Sequence, residues 1–285
     1  MPEEVSSLPV DRVNGVALHW ERRGSGPRLL FCNGSGLTLH DVRPLLDPLT
    51  ASFDLLAWDY RGFGRSAAVT HPYTMADVAT DAAGLLEVTG WQSCRVMGAS
   101  FGGMVAQEFA VTHPQLVERL ALACTSAGGE GGSSYPLQKL LELSPGQRAA
   151  AELKVVDSRW DQRWLEAHPA DRAIAEGMTA AGQDQRDPAA MAAYQAQLQA
   201  REGHDVWDRL GAITCPVLVG YGNYDGIAPV RNSTAIASRI RGAKLRGYEG
   251  GHLFLLQDPA ALPEFETFLQ ASPSVGAVRD PGHSR

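Results

Sequence analysis

Near-continuous apolar runs alternate with amphipathic stretches along the chain as far as Thr125. Leu29–Cys32, Phe53–Trp58, Cys94–Met97 and Leu120–Thr125 read as strands buried on both faces, as parallel strands are. Val13-Asn14-Gly15-Val16 carries a two-residue hairpin signal joining two edge strands. Thr74 caps a helix running to about Val88, and Gly103–Ala110 has helical spacing. Strands alternating with helices predict a doubly wound parallel sheet. From about Gly128 to Leu210 the alternation stops. That stretch is rich in Ala, Gln, Arg and Glu at helical spacing, with Ser144-Pro145 and Asp187-Pro188 as helix starts. Strand patterns return at Val217–Tyr221 and Ala243–Tyr248. The expected fold class is therefore α/β, a doubly wound, mostly parallel sheet with an inserted helical cap. Residues 1–127 and 211–285 form the expected core and 128–210 the cap. Gly128–Ser134 reads as a hinge, and Ala271–Arg285, without periodicity, as a frayed tail.

Composition narrows the class. The chain has 285 residues, 44% hydrophobic and 20% charged, which suits a soluble protein with a large core. A net charge of −7 disfavours nucleic acid and anionic membranes as partners. Met1–Val13 lacks a basic region followed by an apolar one, so no signal peptide is expected. No run of about 18 apolar residues could span a bilayer. Cys32, Cys94, Cys124 and Cys215 lie in or beside strand patterns without C-x-x-C spacing, and read as reduced packing residues. Cytoplasmic residence is expected from that cysteine usage. Cys32, near the expected site, is a candidate thiol sensor.

The candidate chemistry lies at Gly98-Ala99-Ser100-Phe101-Gly102, a G-x-S-x-G turn between a strand and a helix. Such a turn is too tight for bulky neighbours and leaves the serine hydroxyl projecting. The following helix start points free amides and a positive dipole end at the same place. A serine hydroxyl needs a base, and the base an orienting acid. Asp225 follows the Val217–Tyr221 strand, and His252 follows the Ala243–Tyr248 strand in Gly250-Gly251-His252. The chain order Ser, Asp, His and the position of both loops past strand carboxyl ends suit a triad of Ser100, Asp225 and His252. His40 is the best rival base, but it precedes Ser100. The remaining histidines read as surface, cap or turn residues. The Asp59–Ser66 stretch reads as a braced turn.

On these motifs, with Asp59-Tyr60-Arg61-Gly62-Phe63-Gly64-Arg65-Ser66 and Gly222-x-x-Asp225-x-x-x-Pro229 beside them, the chain resembles the α/β-hydrolase superfamily from about Val13 to Leu269. It is similar to small esterases, enol-lactonases and cofactor-free haloperoxidases or perhydrolases. The resemblance implies an oxyanion hole made by the amides of Phe101 and Ser35. It also implies His-Gly after the Leu29–Cys32 strand. This chain departs there with Asn33-Gly34; either Asn33 makes some of the same hydrogen bonds and keeps the loop unchanged, or its amide is a substrate contact. Gly34 and Gly36 would let that loop turn its amides inward. Trp164, Met178 and Tyr194, on the cap, are candidate pocket residues beside Trp160 and Met191.

The expected activity is serine hydrolysis of a small or medium carboxylic ester, thioester or lactone. No metal or organic cofactor is expected, since H-E-x-x-H, C-x-x-C and P-loop signatures are missing. The expected partner is a small acyl substrate. On the same triad, C–C bond hydrolysis of a diketone-like acid, perhydrolysis with halogenation, and acyl transfer or cyclisation remain open. So does a ligand-binding protein without turnover. A diketone acid or enol-lactone would call for a cation in the pocket, for which Arg148, Arg163 and Arg172 are available.

Overall fold

A computed structural model describes residues 9–183 and 188–272. Eight strands form one sheet: β1 Val10–Val13, β2 Val16–Arg23, β3 Arg28–Cys32, β4 Asp54–Trp58, β5 Cys94–Ala99, β6 Val117–Ala123, β7 Val217–Gly222 and β8 Lys244–Tyr248. Their order is β1-β2-β4-β3-β5-β6-β7-β8. β2 pairs antiparallel with β1 and β4, and all other pairings are parallel. At the first hairpin, Asn14 and Gly15 take φ of 47° and 79°, the left-handed pair that matches strand twist.

Helices α1 Leu39–Leu49, α2 Met75–Thr89 and α3 Phe101–Thr112 follow β3, β4 and β5. Between β6 and β7 come α4 Gln138–Leu141, α5 Pro145–Val156, α6 Gln162–Ala167, α7 Pro169–Gln183 and α8 Pro188–Glu202. The chain then adds α9 Val230–Arg239, α10 Phe254–Gln257 and α11 Ala261–Gln270. Thr74 and Ser144 open α2 and α5 as expected, each in a capping box, with Asp77 and Gln147 respectively. Asp187 lies outside the described residues, as do Met1–Leu8 and the last thirteen positions of the expected tail.

Alternate residues of the buried strands feed two cores. Leu30 and Cys32 face one with Trp58, Phe101 and Phe109, under α2, α3 and α9. Leu29 and Phe31 face the other with Leu46, Phe53 and Phe265, under α1 and α11. α3 starts at Phe101, directly after Ser100 as the turn requires, two residues before the helical spacing becomes evident in the sequence. Glycine weakens the helical signal there, and close packing requires it. The glycines read as a hinge are also packed. A Cβ on Gly128 would lie 1.9 Å from the His204 carbonyl oxygen, and one on Gly129 2.6 Å from the Asp205 carboxylate.

The Asp59–Ser66 turn is braced as expected. Buried Asp59 accepts from the Leu39 and Arg65 amides and from His19 Nδ1 at 2.7, 3.0 and 2.7 Å. His19 and His204, read from sequence as surface, cap or turn residues, are both buried. Burial pushes His204 down to about 4. As pH falls below the ordinary histidine range, the unfolded chain takes up a proton at His204 that the folded chain refuses until about pH 4. Stability should therefore fall between about pH 6.5 and 4, by up to about 3 kcal/mol. Urea unfolding midpoints for wild type and His204→Gln should diverge across that window, and parallel pH profiles would contradict this assignment.

Candidate active site

The strand order turns back between β3 and β5, and open α/β sheets form clefts at such points, beyond the strand carboxyl ends. Ser100 sits there, between β5 and α3, with φ 57° and ψ −118°. A non-glycine residue in that region is strained by about 1–3 kcal/mol and is held by its surroundings. Its amide donates to the Ala123 carbonyl at 2.9 Å, and its own carbonyl accepts from the Thr125 hydroxyl at 2.8 Å. The flanking glycines make the turn sterically possible. A Cβ on Gly98 would meet the Gly102 carbonyl oxygen at 2.3 Å, and one on Gly102 the Cys32 carbonyl oxygen at 2.0 Å.

His252 Nε2 lies 2.8 Å from Ser100 Oγ, and His252 Nδ1 lies 2.8 Å from Asp225 Oδ2. The other Asp225 oxygen accepts the amides of Ile227 and Ala228, both at 2.8 Å. The Asp225 side chain is fully buried and that of His252 10% exposed. An ionised carboxylate only accepts, so His252 Nδ1 donates to it and Nε2 is left to accept the serine proton. The two loops brace each other. Asn223 and Tyr224 donate to the carbonyls of Tyr248 and Gly250, and a Cβ on Gly222 would lie 2.0 Å from the Gly251 carbonyl oxygen.

Phe101 is fully buried at the first position of α3, where a helix amide has no partner within the helix. Across the cleft, the loop after β3 is partly fixed by α8. Gln197 Oε1 accepts the Gly36 amide at 2.7 Å, next to the Ser35 amide. Gly36 has φ 74°, in the left-handed region, and Gly34 lies outside it. A Cβ on Gly34 would meet only Leu37 at 3.4 Å and Ser100 Cβ at 3.9 Å. Asn33 is buried and donates to the Leu37 carbonyl at 3.3 Å, with its Oδ1 unpartnered.

The expected pocket residues divide. Trp164 and Met178 pack beside Val156, Trp160 and Leu253, the residue after His252. Trp164 also donates its indole N–H to Asp171 at 2.7 Å and stacks on His168. Tyr194 packs instead against the core under α2 and α3. His40 is exposed. Cys32 is fully buried, and burial pushes its thiol well up, which removes the thiolate a sensor needs.

Sequence reading missed the residues at the end of α5 and just after it. The Val156 carbonyl accepts the His252 amide at 2.6 Å, and the Val155 carbonyl accepts the Gly226 amide at 3.0 Å. Ser158 donates to the Tyr224 carbonyl at 3.0 Å. Buried Asp157 holds Arg159 and accepts from Gln257, whose Oε1 receives the Gly251 amide at 2.8 Å. These are mostly backbone contacts and have no side-chain signature. The one trace in the sequence is a glycine beside each loop residue, Gly226 and Gly251, where a Cβ would meet the 155–157 backbone at 2.7 and 2.2 Å.

Among the described residues, no group of three or more His, Cys, Asp and Glu side chains is placed to hold a metal ion, and no helix is long and apolar enough to cross a membrane. A wide concavity of about 650 Å³ lies at the opposite sheet edge, along Trp20, Arg22, Gly24 and Asp54. It carries none of the chemistry above, and its Arg22 and Asp54 pair with each other at 2.7 Å.

The family model for the alpha/beta hydrolase fold matches residues 27–259. A poly(3-hydroxyalkanoate) depolymerase of Ectopseudomonas oleovorans is 30% identical over 251 residues, covering 85% of this chain and 84% of that one. A hydrolase of Pseudomonas aeruginosa has a TM-score of 0.76 at 27% identity, over 94% of this chain and 100% of that one. An enol-lactonase of Burkholderia xenovorans shares the fold with a TM-score of 0.72 at 23% identity, over 91% and 97% of the two chains.

Proposed function

The chain belongs to the alpha/beta hydrolase fold family and is an enzyme acting on ester bonds; we propose that it cleaves a small or medium carboxylic ester, thioester or lactone through Ser100, His252 and Asp225. The observation that carries this reading is the unbroken relay from Ser100 Oγ through His252 to Asp225, two contacts of 2.8 Å ending on a carboxylate fixed by two amides.

In the proposed cycle His252 Nε2 takes the Ser100 proton as Oγ attacks the carbonyl carbon. The oxygen gains negative charge facing the amides of Phe101 and Ser35, donors that need no reorganisation during the step. His252 then gives its proton to the leaving oxygen or sulfur, whose bond to the acyl carbon breaks. Water, deprotonated by the same imidazole, attacks the acyl-enzyme and releases the acid and Ser100. Asp225 stays ionised and stabilises the imidazolium formed in each half. The helices between β6 and β7 serve as a cap. The depolymerase relative acts on a polyester, which is consistent with ester chemistry on this scaffold.

A fluorophosphonate probe, followed by peptide mass mapping, tests the activated serine. Wild type should give a stoichiometric adduct on Ser100, lost in His252→Ala. No adduct in wild type, or labelling that survives His252→Ala undiminished, would count against the relay.

A further inference from the structure

Among the described residues, Arg201 is a buried cation without a counter-ion. It lies near the end of α8, 7% exposed, and makes no ion pair. Nη1 donates to the Tyr135 carbonyl at 2.9 Å, while Nε and Nη2 have no acceptor. Burial lowers it to about 10, so it remains protonated at neutral pH. A buried charge without a partner costs several kcal/mol, and proteins seldom keep one for packing alone. The arginines that the sequence offered for an anion are otherwise placed. Arg148 is spent on the carbonyls of Leu140, Leu141 and Leu143, Arg163 is exposed, and Arg172 is about half exposed beside Glu176.

Arg201 lines a cavity of about 230 Å³ with Met104, Ser126, Ser133, Ser134 and His204. The walls offer hydroxyls. Ser126 and Ser134 hydrogen-bond to each other, and Asn232 donates to the Ser126 hydroxyl at 2.8 Å. Buried His204, held near 4, adds no charge at neutral pH. Glu202 also borders the cavity but is exposed and forms no ion pair with Arg201. Two of its lining residues, Met104 and Ser126, lie close to Ser100 through the elements that carry them. Met104 is one helical turn beyond Ser100 on α3, and Ser126 follows the threonine that holds the Ser100 carbonyl. Gln197, one turn before Arg201 on α8, reaches the loop after β3.

We infer that Arg201 anchors a subsite for a carboxylate carried by the substrate, remote from the bond that is cleaved. The enzyme would then select esters or lactones of dicarboxylic type over neutral ones. The planar fork of a guanidinium with two free nitrogens matches a carboxylate bidentately, which a lysine cannot do. The inference rests on the serine-hydrolase reading for its substrate and on Arg201 alone for its anion.

The test compares kcat/KM for mono-p-nitrophenyl glutarate and adipate with that for p-nitrophenyl valerate and hexanoate. Wild type should favour the anionic esters. The anionic-to-neutral ratio should fall about 10- to 100-fold in Arg201→Met and less in Arg201→Lys. If Arg201 only braced Tyr135, both ester classes and the melting temperature would fall together at a constant ratio, which would overturn the inference. A wild-type ratio below one would do the same, whether or not the variants fold. Calorimetry with free glutarate separates the remaining cases. Binding that competes with the hemi-ester and is lost in Arg201→Met supports a substrate carboxylate. Binding lost in Arg201→Met without competition would assign the site to a separate anion and overturn the substrate claim. If no ester turns over, the serine-hydrolase reading fails. Glutarate binding lost in Arg201→Met would still uphold the anion site, and no binding to wild type would overturn it.

Discussion

Ser100→Ala should lower ester turnover by on the order of 10⁶-fold with little change in melting temperature. The side chain is half-buried and its hydroxyl contacts His252 at 2.8 Å, so removing one oxygen leaves the packing of the turn nearly unchanged. The backbone contacts of residue 100 to Ala123, Thr125 and Met104 do not involve that hydroxyl. Residual activity should be that of the amides and the pocket alone, about 10³–10⁴ over water. Initial rates on p-nitrophenyl esters, with melting curves beside them, make the comparison. A loss under tenfold in a folded variant would mean that Ser100 does not attack the ester.

Asp225→Asn should cost about 10⁴-fold in kcat by a different route. The Ile227 and Ala228 amides both point at Oδ1, so an asparagine must keep its carbonyl oxygen there. Its NH₂ group then occupies the Oδ2 position, 2.8 Å from His252 Nδ1. Nδ1 has to accept, which puts the imidazole proton on Nε2, where the base should be free. Geometry is preserved while the tautomer is reversed. Rates of the purified variant against wild type decide this, and a variant within tenfold of wild type would remove Asp225 from the orienting role.

Much of this site was legible because chemistry there depends on side chains attached to short, recognisable turns. The G-x-S-x-G stretch announces itself through the glycines that β5 and α3 need in order to approach. Asp225 and His252 were found because each follows a strand pattern. The paired strands β3 to β7 were legible because burial on both faces leaves continuous apolar runs. What stayed hidden depends on tertiary placement. Arg201 and Gln197 sit on a polar, alanine-rich helix whose sequence does not show which turn is buried. From sequence, His19 and His204 read as surface, cap or turn residues, because burial is set by what packs over them. Of the two loop glycines, only Gly36 takes a positive φ, a difference that sequence does not record.

The carbonyl of Val156 that holds the His252 amide has a consequence for exchanging caps between relatives. A graft cut at residues 128 and 210 would transplant the helices together with the strut beneath the histidine, and would leave the recipient loops braced by foreign backbone. Residues 155–158 behave as part of the hydrolase core although they are encoded inside the insertion. On the proposed reading, junctions placed after Ser158 would exchange the cap helices while leaving the candidate triad with its native support. The exchangeable unit that this bracing implies is smaller than the segment between the sixth and seventh strands.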